Sequence, residues 1–271
     1  MDFQGKVAVI TGAASGIGRA VAGAMAKRGV RAMALVDMGD GIEAVADDVN
    51  KEAGRMVAYA FRGDTTDDAF RGAVYDTITE RFGLVSMCVP AAGITRDDLA
   101  VRIDKMSGKA RIYPVERFRQ VVEVNLVAPV YWALEMIGRI AEDRTARGAK
   151  RWSPSEGTQG AIVFIGSISS QGNRGQISYA STKAGLEGAA ATIMKEAMFH
   201  GVRCSVIHPG FTDTAMVRAM GEEYIAKHIL PFTQLGRLIR PDEIADAICF
   251  MLTNSAVSGE LWADAGWHPP A

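Results

Sequence analysis

Cysteine is scarce in this 271-residue chain: Cys88, Cys204 and Cys249 are far apart and odd in number. That argues against a disulfide framework or a cysteine metal site and reads all three as small buried apolar groups. Histidine is nearly as scarce, with four residues at no ligand-like spacing, so no metal site is expected. Charge of one sign is missing too: 30 basic against 31 acidic residues leave a formal net charge of -1. With no long basic run, neither a nucleic acid nor an anionic membrane surface is an expected partner. No run of 18 apolar residues occurs, so no membrane-spanning helix is expected. The opening "MDFQGKVAVITG" lacks a long apolar leader and a small-residue cleavage site, which points to a reduced, cytoplasmic setting.

What is present suits one large core. Hydrophobic residues make up 48% of the chain and charged residues 23%, and the length fits a single domain, 1–271. Short apolar runs at 6–10, 31–36, 56–61, 84–89, 161–166, 202–207 and, more weakly, 259–264 read as strands buried on both faces. Helix-length segments at 17–28, 41–53, 67–82, 116–143, 178–199 and 241–252 alternate with them. Repeated βαβ units follow. The expected fold is α/β: a single-domain, Rossmann-like, doubly wound parallel sheet of about seven strands with helices on both faces. Two polar excursions, 96–115 and 142–160, break the rhythm. The basic cluster Arg144, Arg147, Lys150 and Arg151 in the second reads as solvated surface.

"TGAASGIG", 11–18, joins the first strand to the first helix. Gly12 permits the sharp turn, Gly16 a close approach to a pyrophosphate and Gly18 tight helix–strand packing, with the helix amides facing the phosphates. Ser15 and Ile17 belong to the same turn. Asp37 ends the second strand, where a carboxylate accepts from both adenosine ribose hydroxyls and repels the extra phosphate of NADP. No basic residue stands beside it, so NAD is the expected cofactor. Asp64 and Thr65 at the end of the third strand are candidates for the adenine, although Thr66 or Asp67 in the same stretch can simply cap the next helix. In "PAAG", 90–93, the small residues Ala91, Ala92 and Gly93 let a flat ring lie against the backbone.

"SYASTKAG", 178–185, sets Tyr179 and Lys183 on one helix face. A tyrosinate can take a proton from an alcohol, and a phenol of ordinary pKa near ~10 needs a cationic neighbour to do so near neutrality. Ser167, at a strand end, can hold the substrate oxygen, and Asn125 can fix a water near Lys183.

Across nearly its full length the chain resembles the short-chain dehydrogenase/reductases, in "TGAASGIG", "PAAG", "VNL", "GSISS", "YASTK" and "HPGFTDT". The resemblance implies Asn125, Ser167, Tyr179 and Lys183 as a catalytic tetrad, with Tyr179 as general acid/base and Lys183 also on the nicotinamide ribose. It implies that Pro209, Gly210, Thr212 and Thr214 hold the carboxamide side of nicotinamide. It also implies a homotetramer packed through 116–143 and 178–199. "PAAG" departs from the family's "NNAG", which removes two asparagine side chains. Ser169 is the rival to Ser167 if the loop is registered differently.

Residues 212–237 resemble the family's substrate lid, in which Met216, Met220, Ile225, Ile229 and Phe232 can face an acyl chain or ring or can equally be ordinary core. The leading expectation is a small-molecule alcohol/ketone pair, a 3-hydroxyacyl thioester or related secondary alcohol. The alternatives are an NADPH-linked 3-oxoacyl carrier-protein reductase, a cyclic-alcohol or polyol dehydrogenase, and a non-catalytic nucleotide-binding regulator.

Overall fold

The structure, a computed structural model, describes residues 1–267. In chain order its strands are β1 (Val7–Thr11), β2 (Ala32–Asp37), β3 (Ala58–Arg62), β4 (Val85–Pro90), β5 (Val101–Ile103), β6 (Ala110–Ile112), β7 (Gly160–Ile165), β8 (Val202–Pro209) and β9 (Gly259–Ala263). The helices are α1 (Gly16–Lys27), α2 (Ile42–Ala53), α3 (Asp68–Phe82), α4 (Val115–Val122), α5 (Ala128–Ala146), α6 (Ile177–Ala197), α7 (Ala215–Arg218), α8 (Glu222–His228) and α9 (Pro241–Thr253). Seven strands form one sheet, ordered β3-β2-β1-β4-β7-β8-β9, and every neighbouring pair is parallel. Each of the seven expected apolar runs is one of these strands. The order changes direction between β1 and β4, which opens a crevice at their carboxyl ends.

Strand alternation divides the core in two. Ala8, Ile10, Met33 and Leu35 face one layer with Val21 and Met25 of α1 and Ile244 and Ile248 of α9. Val7, Val9, Ala34 and Val36 face the other with Tyr75 of α3, Trp132 and Met136 of α5 and Leu186 of α6. Successive side chains of a strand point to opposite faces, so a run covered on both sides must be apolar throughout. Asp67 caps α3 by accepting from the Phe70 amide at 3.0 Å. α9 starts at Pro241, and Glu243 accepts from the Arg240 amide at 2.8 Å.

Three features differ from expectation. The 96–115 excursion contains an antiparallel hairpin, β5–β6, apart from the main sheet. Its strands are three residues each and fully exposed, so no buried face imposes the alternation that marks a strand. In the 142–160 excursion, Arg144 is buried rather than solvated. Its guanidinium donates to Glu156 at 2.6 Å and to the Lys150 carbonyl at 2.9 Å, the pairing that a buried charge requires. The helix at 116–143 runs from 115 to 146 with a π turn at Glu123–Val127. By length and composition that run is apolar enough to cross a membrane, but Trp132, Ala133, Met136 and Ile140 are in the core.

Candidate active site

The glycine turn shows why side chains are excluded there. Gly12 has φ +65°, and a Cβ on it would lie 2.7 Å from the Ala92 backbone. A Cβ on Gly18 would lie 2.2 Å from the Gly12 carbonyl oxygen. These contacts press β1, the start of α1 and the end of β4 together. "PAAG" keeps its turn without asparagines, because the Ala91 amide donates to the Thr11 carbonyl and the Ala92 amide to Thr11 Oγ1, both at 3.2 Å. Thr11 therefore holds this turn in place of the two missing asparagine side chains.

A cleft of about 580 Å³ runs along this edge of the sheet. Gly12, Ser15, Gly16, Ile17 and Gly18 line it from the first turn, and Asp37, Asp64 and Thr65 from β2 and β3. Ala91, Ala92 and Gly93 line it from the end of β4, Tyr179 and Lys183 from α6, and Thr214 lies beside Gly16, whose Cβ would sit 3.1 Å from Thr214 Cγ2. The first turn of α1 carries no acidic side chain, and Ser15 makes no side-chain cap there. A helix amide end left in this way suits an anion such as a pyrophosphate, and a lining that runs from the glycine turn and Asp37 to Tyr179 and Lys183 fits a dinucleotide.

Asp37 is fixed by its neighbours: Oδ2 accepts from the Ala14 amide at 3.0 Å and Oδ1 from the Gly39 amide at 2.9 Å. Each oxygen keeps acceptor capacity for a hydroxyl. Asp64 is exposed and accepts from the Thr66 amide and hydroxyl. Thr65 is buried, and its carbonyl accepts from Trp132 Nε1 at 2.9 Å.

On the α6 side, Ser167 is close enough to the Tyr179 hydroxyl to favour its phenolate form. Ser167 Oγ also accepts from the Ser169 amide at 3.1 Å. The Ser169 hydroxyl donates instead to Gln176 at 2.9 Å, so Ser167 is the serine that faces the tyrosine. Lys183 is buried one helical turn on. Its Nζ donates to the Ile165 carbonyl at 2.7 Å and lies 5.4 Å from the centre of the Tyr179 ring.

The family model described as short chain dehydrogenase matches residues 6–225. The chain is a short-chain dehydrogenase/reductase. Among its relatives, the 3-oxoacyl-(acyl-carrier-protein) reductase FabG of Escherichia coli (strain K12) is 31% identical over 263 residues, 96% of each chain. A reductase of the same name from Pseudomonas aeruginosa is 30% identical over 259 residues, 94% of this chain and 93% of its own. A crystal structure of a short-chain type dehydrogenase/reductase from Mycobacterium marinum superposes with a TM-score of 0.82 at 23% identity, over 99% of this chain and 98% of that one. That likeness concerns the fold. Members of the family are oxidoreductases that bind a nicotinamide dinucleotide.

In this short-chain dehydrogenase/reductase the tyrosine does not have the lowered pKa expected beside a lysine. Burial pushes Tyr179 up to about 12; the nearby Ser167 hydroxyl opposes the shift and Asp97 adds to it. Burial lowers Lys183 to about 8. In the ligand-free cleft desolvation outweighs pairing, because the ammonium is bonded to Ile165 rather than to the phenol oxygen. Asn125 is wholly buried. Its Oδ1 accepts from the Ile94 amide at 2.8 Å and its Nδ2 donates to the Ile94 carbonyl at 2.9 Å. Its side chain positions the 93–95 loop.

Thr214 reaches the cleft, whereas Pro209, Gly210 and Thr212 do not line it. They shape the backbone behind it: a Cβ on Gly210 would lie 2.7 Å from the Asp264 carbonyl oxygen, and Thr212 Oγ1 donates to the Gly210 carbonyl at 3.1 Å. Of the lid residues, Met216 lines the cleft. Ile225 and Ile229 instead form a small core with Leu238, because α8 folds its apolar side inward. Arg96 and Gln120 line the cleft without having been expected there. Asp97 accepts from Gln176 at 2.8 Å and Tyr113 is hydrogen-bonded to Ser178 at 3.0 Å, so the first excursion braces the start of α6. No local motif marks these four residues, since their role depends on where the excursion and α4 pack.

Proposed function

We propose that this short-chain dehydrogenase/reductase is an NAD-dependent enzyme interconverting a secondary alcohol and a ketone, with a 3-hydroxyacyl thioester or related hydroxy compound as substrate. The observation that carries this reading is the neighbouring Ser167 and Tyr179 beside buried Lys183, in a cleft that also presents Asp37. Asp37 would hold the adenosine ribose, the 12–18 turn the pyrophosphate, and Asp64 and Thr65 the adenine. Lys183 would hold the nicotinamide ribose, and Thr214, backed by the 209–212 segment, the carboxamide. When bound, NAD supplies the hydride acceptor for an alcohol carbon.

The chain's own contribution is control of the proton. Ser167 donates to the substrate oxygen and fixes it against Tyr179. Tyr179 takes the hydroxyl proton as phenolate in oxidation and returns it as phenol in reduction. Lys183 supplies positive charge beside the phenolate, where low dielectric strengthens the attraction. Met216 offers an adaptable apolar contact for an acyl chain. The exposed Tyr131 and Leu134 of α5, with the glycines of α6, support the homotetramer as part of the same proposal.

A second reading is an NADPH-linked 3-oxoacyl carrier-protein reductase, favoured by the names of the relatives and opposed by the carboxylate at Asp37. The direct test of the proton role is Tyr179→Phe. Turnover falls by about 10²–10⁴-fold while nucleotide affinity, measured by fluorescence titration, stays within a few-fold. Normal turnover in that variant would remove Tyr179 from the chemistry.

A further inference from the structure

His208 of β8, Glu187 of α6 and Glu260 of β9 meet behind the loop that carries Ser167. His208 is wholly buried and its ring is held on both sides. Trp262 stacks on it with centroids 4.2 Å apart and planes 16° from parallel. Gly166 leaves it room, since a Cβ there would lie 2.6 Å from Nδ1. Nδ1 is 3.2 Å from both the amide nitrogen and the carbonyl oxygen of Ser167. Nε2 faces two carboxylates, Glu260 Oε2 at 3.0 Å and Glu187 Oε1 at 3.8 Å.

Protons alone do not satisfy this cluster. A proton on Nε2 bonds Glu260 but not Glu187, which is too distant for a hydrogen bond. Glu187 Oε1 is then a buried carboxylate oxygen with no hydrogen-bond partner among the described residues, a costly state. With its only proton on Nδ1, the ring would aim the Nε2 lone pair at two negative groups. A divalent cation between the three groups answers all of them. Bonds of about 2.0–2.2 Å in a tetrahedral site separate ligand atoms by roughly 3.3–3.6 Å. The 3.0 and 3.8 Å separations bracket that range, and all three atoms lie within 4.8 Å of one another.

We propose that His208, Glu187 and Glu260 form a site for a divalent transition metal of the zinc class. One imidazole and two carboxylates favour zinc over magnesium or calcium, which prefer all-oxygen shells. Glu260, with its side chain 40% exposed, gives a path of entry and leaves a coordination position for water. Metal on Nε2 leaves the ring proton on Nδ1, where it donates to the Ser167 carbonyl. Occupancy therefore changes which backbone group of Ser167 the ring anchors and makes His208 a positioning residue for that serine.

The test uses the full chain after chelator treatment. Calorimetric titration with Zn²⁺ should show one equivalent per chain, with no comparable signal from Mg²⁺. Co²⁺ in place of zinc should give visible absorption bands of a tetrahedral site. Glu187→Gln and Glu260→Gln preserve shape and should each weaken zinc binding by more than about 10-fold, with circular dichroism verifying the fold. His200→Ala and His228→Ala, which alter the other described histidines, should leave it unchanged. Absence of a stoichiometric equivalent, or an equivalent retained in the Glu187→Gln/Glu260→Gln double variant, would overturn the proposal. Because the readout is metal binding, this result is separate from the test of the dehydrogenase reading.

Discussion

At the β1–α1 end of the cleft, the groups proposed to face the nucleotide come from short contiguous stretches, 11–18 and 37–39, and are fixed by backbone contacts. Gly12 and Gly18 permit approaches no side chain would allow, and two amides hold the Asp37 carboxylate. At the Tyr179 end, the proposed reacting pair comes from the turn after β7 and the start of α6, with Asp97 and Tyr113 arriving from a distant excursion. The first end is a backbone mould, whereas the second is a set of side chains whose ionisation depends on burial. Substitutions at the first should act through shape, and those at the second through charge and protons.

The largest expected difference comes from Gly18→Ala, which drives a methyl group into the Gly12 carbonyl. Stability should fall by ~1–3 kcal/mol, and nucleotide affinity by on the order of 100-fold if a similar energy is lost in binding. Urea unfolding and nucleotide titration check the two parts. Unchanged binding would show that the mould is not needed.

Lys183→Met tests the other end through pH. Lys183 titrates at about 8 in the folded protein against an ordinary 10.5. Below 8 both states are protonated and the folded one carries the full cost of burying the charge. Between these values the unfolded chain holds the extra proton, so this contribution to stability rises with pH. The methionine variant should therefore be more stable near pH 7. The gain is on the order of 3 kcal/mol from the shift, less about 1 for the lost bond to Ile165, and it should shrink toward pH 10.5. Tyr179, Cys88 and Cys249, raised to about 12, 12 and 11, act in the opposite sense at higher pH. Comparing the two proteins isolates the lysine. Parallel stability profiles would mean Lys183 is not titrating in this range.

A smaller effect is expected from Asp37→Ala. Losing a charged acceptor for ribose hydroxyls should cut NAD preference over NADP by roughly tenfold, from about 1.5 kcal/mol. Equal discrimination in both proteins would remove Asp37 from cofactor choice. Least of all, Met216→Ala should alter substrate KM by a few-fold with nucleotide affinity unchanged. An equal change in both would erase the distinction between the two ends.

The same contrast explains what was legible in the sequence. The seven parallel strands were readable because coverage on both faces leaves apolar runs. The glycine turn and Asp37 were readable because their geometry is local. The β5–β6 hairpin was not, as its exposed residues need no hydrophobic alternation. Arg144 looked solvated because Glu156, the partner that makes its burial tolerable, lies 12 residues away across a loop. Ile225 and Ile229 carried apolar character but not its direction, which the packing of α8 decides. Likewise, Glu187, His208 and Glu260 have no motif spacing and meet only where α6, β8 and β9 converge.

The most direct measurement is a steady-state comparison of NAD and NADP, with 3-hydroxyacyl thioesters and simple cyclic secondary alcohols as substrates, on the purified full chain. Strong NAD-linked oxidation of a hydroxyacyl thioester is the expected result. Turnover that requires NADP, or tight NAD binding with no turnover of either class of alcohol, would contradict it.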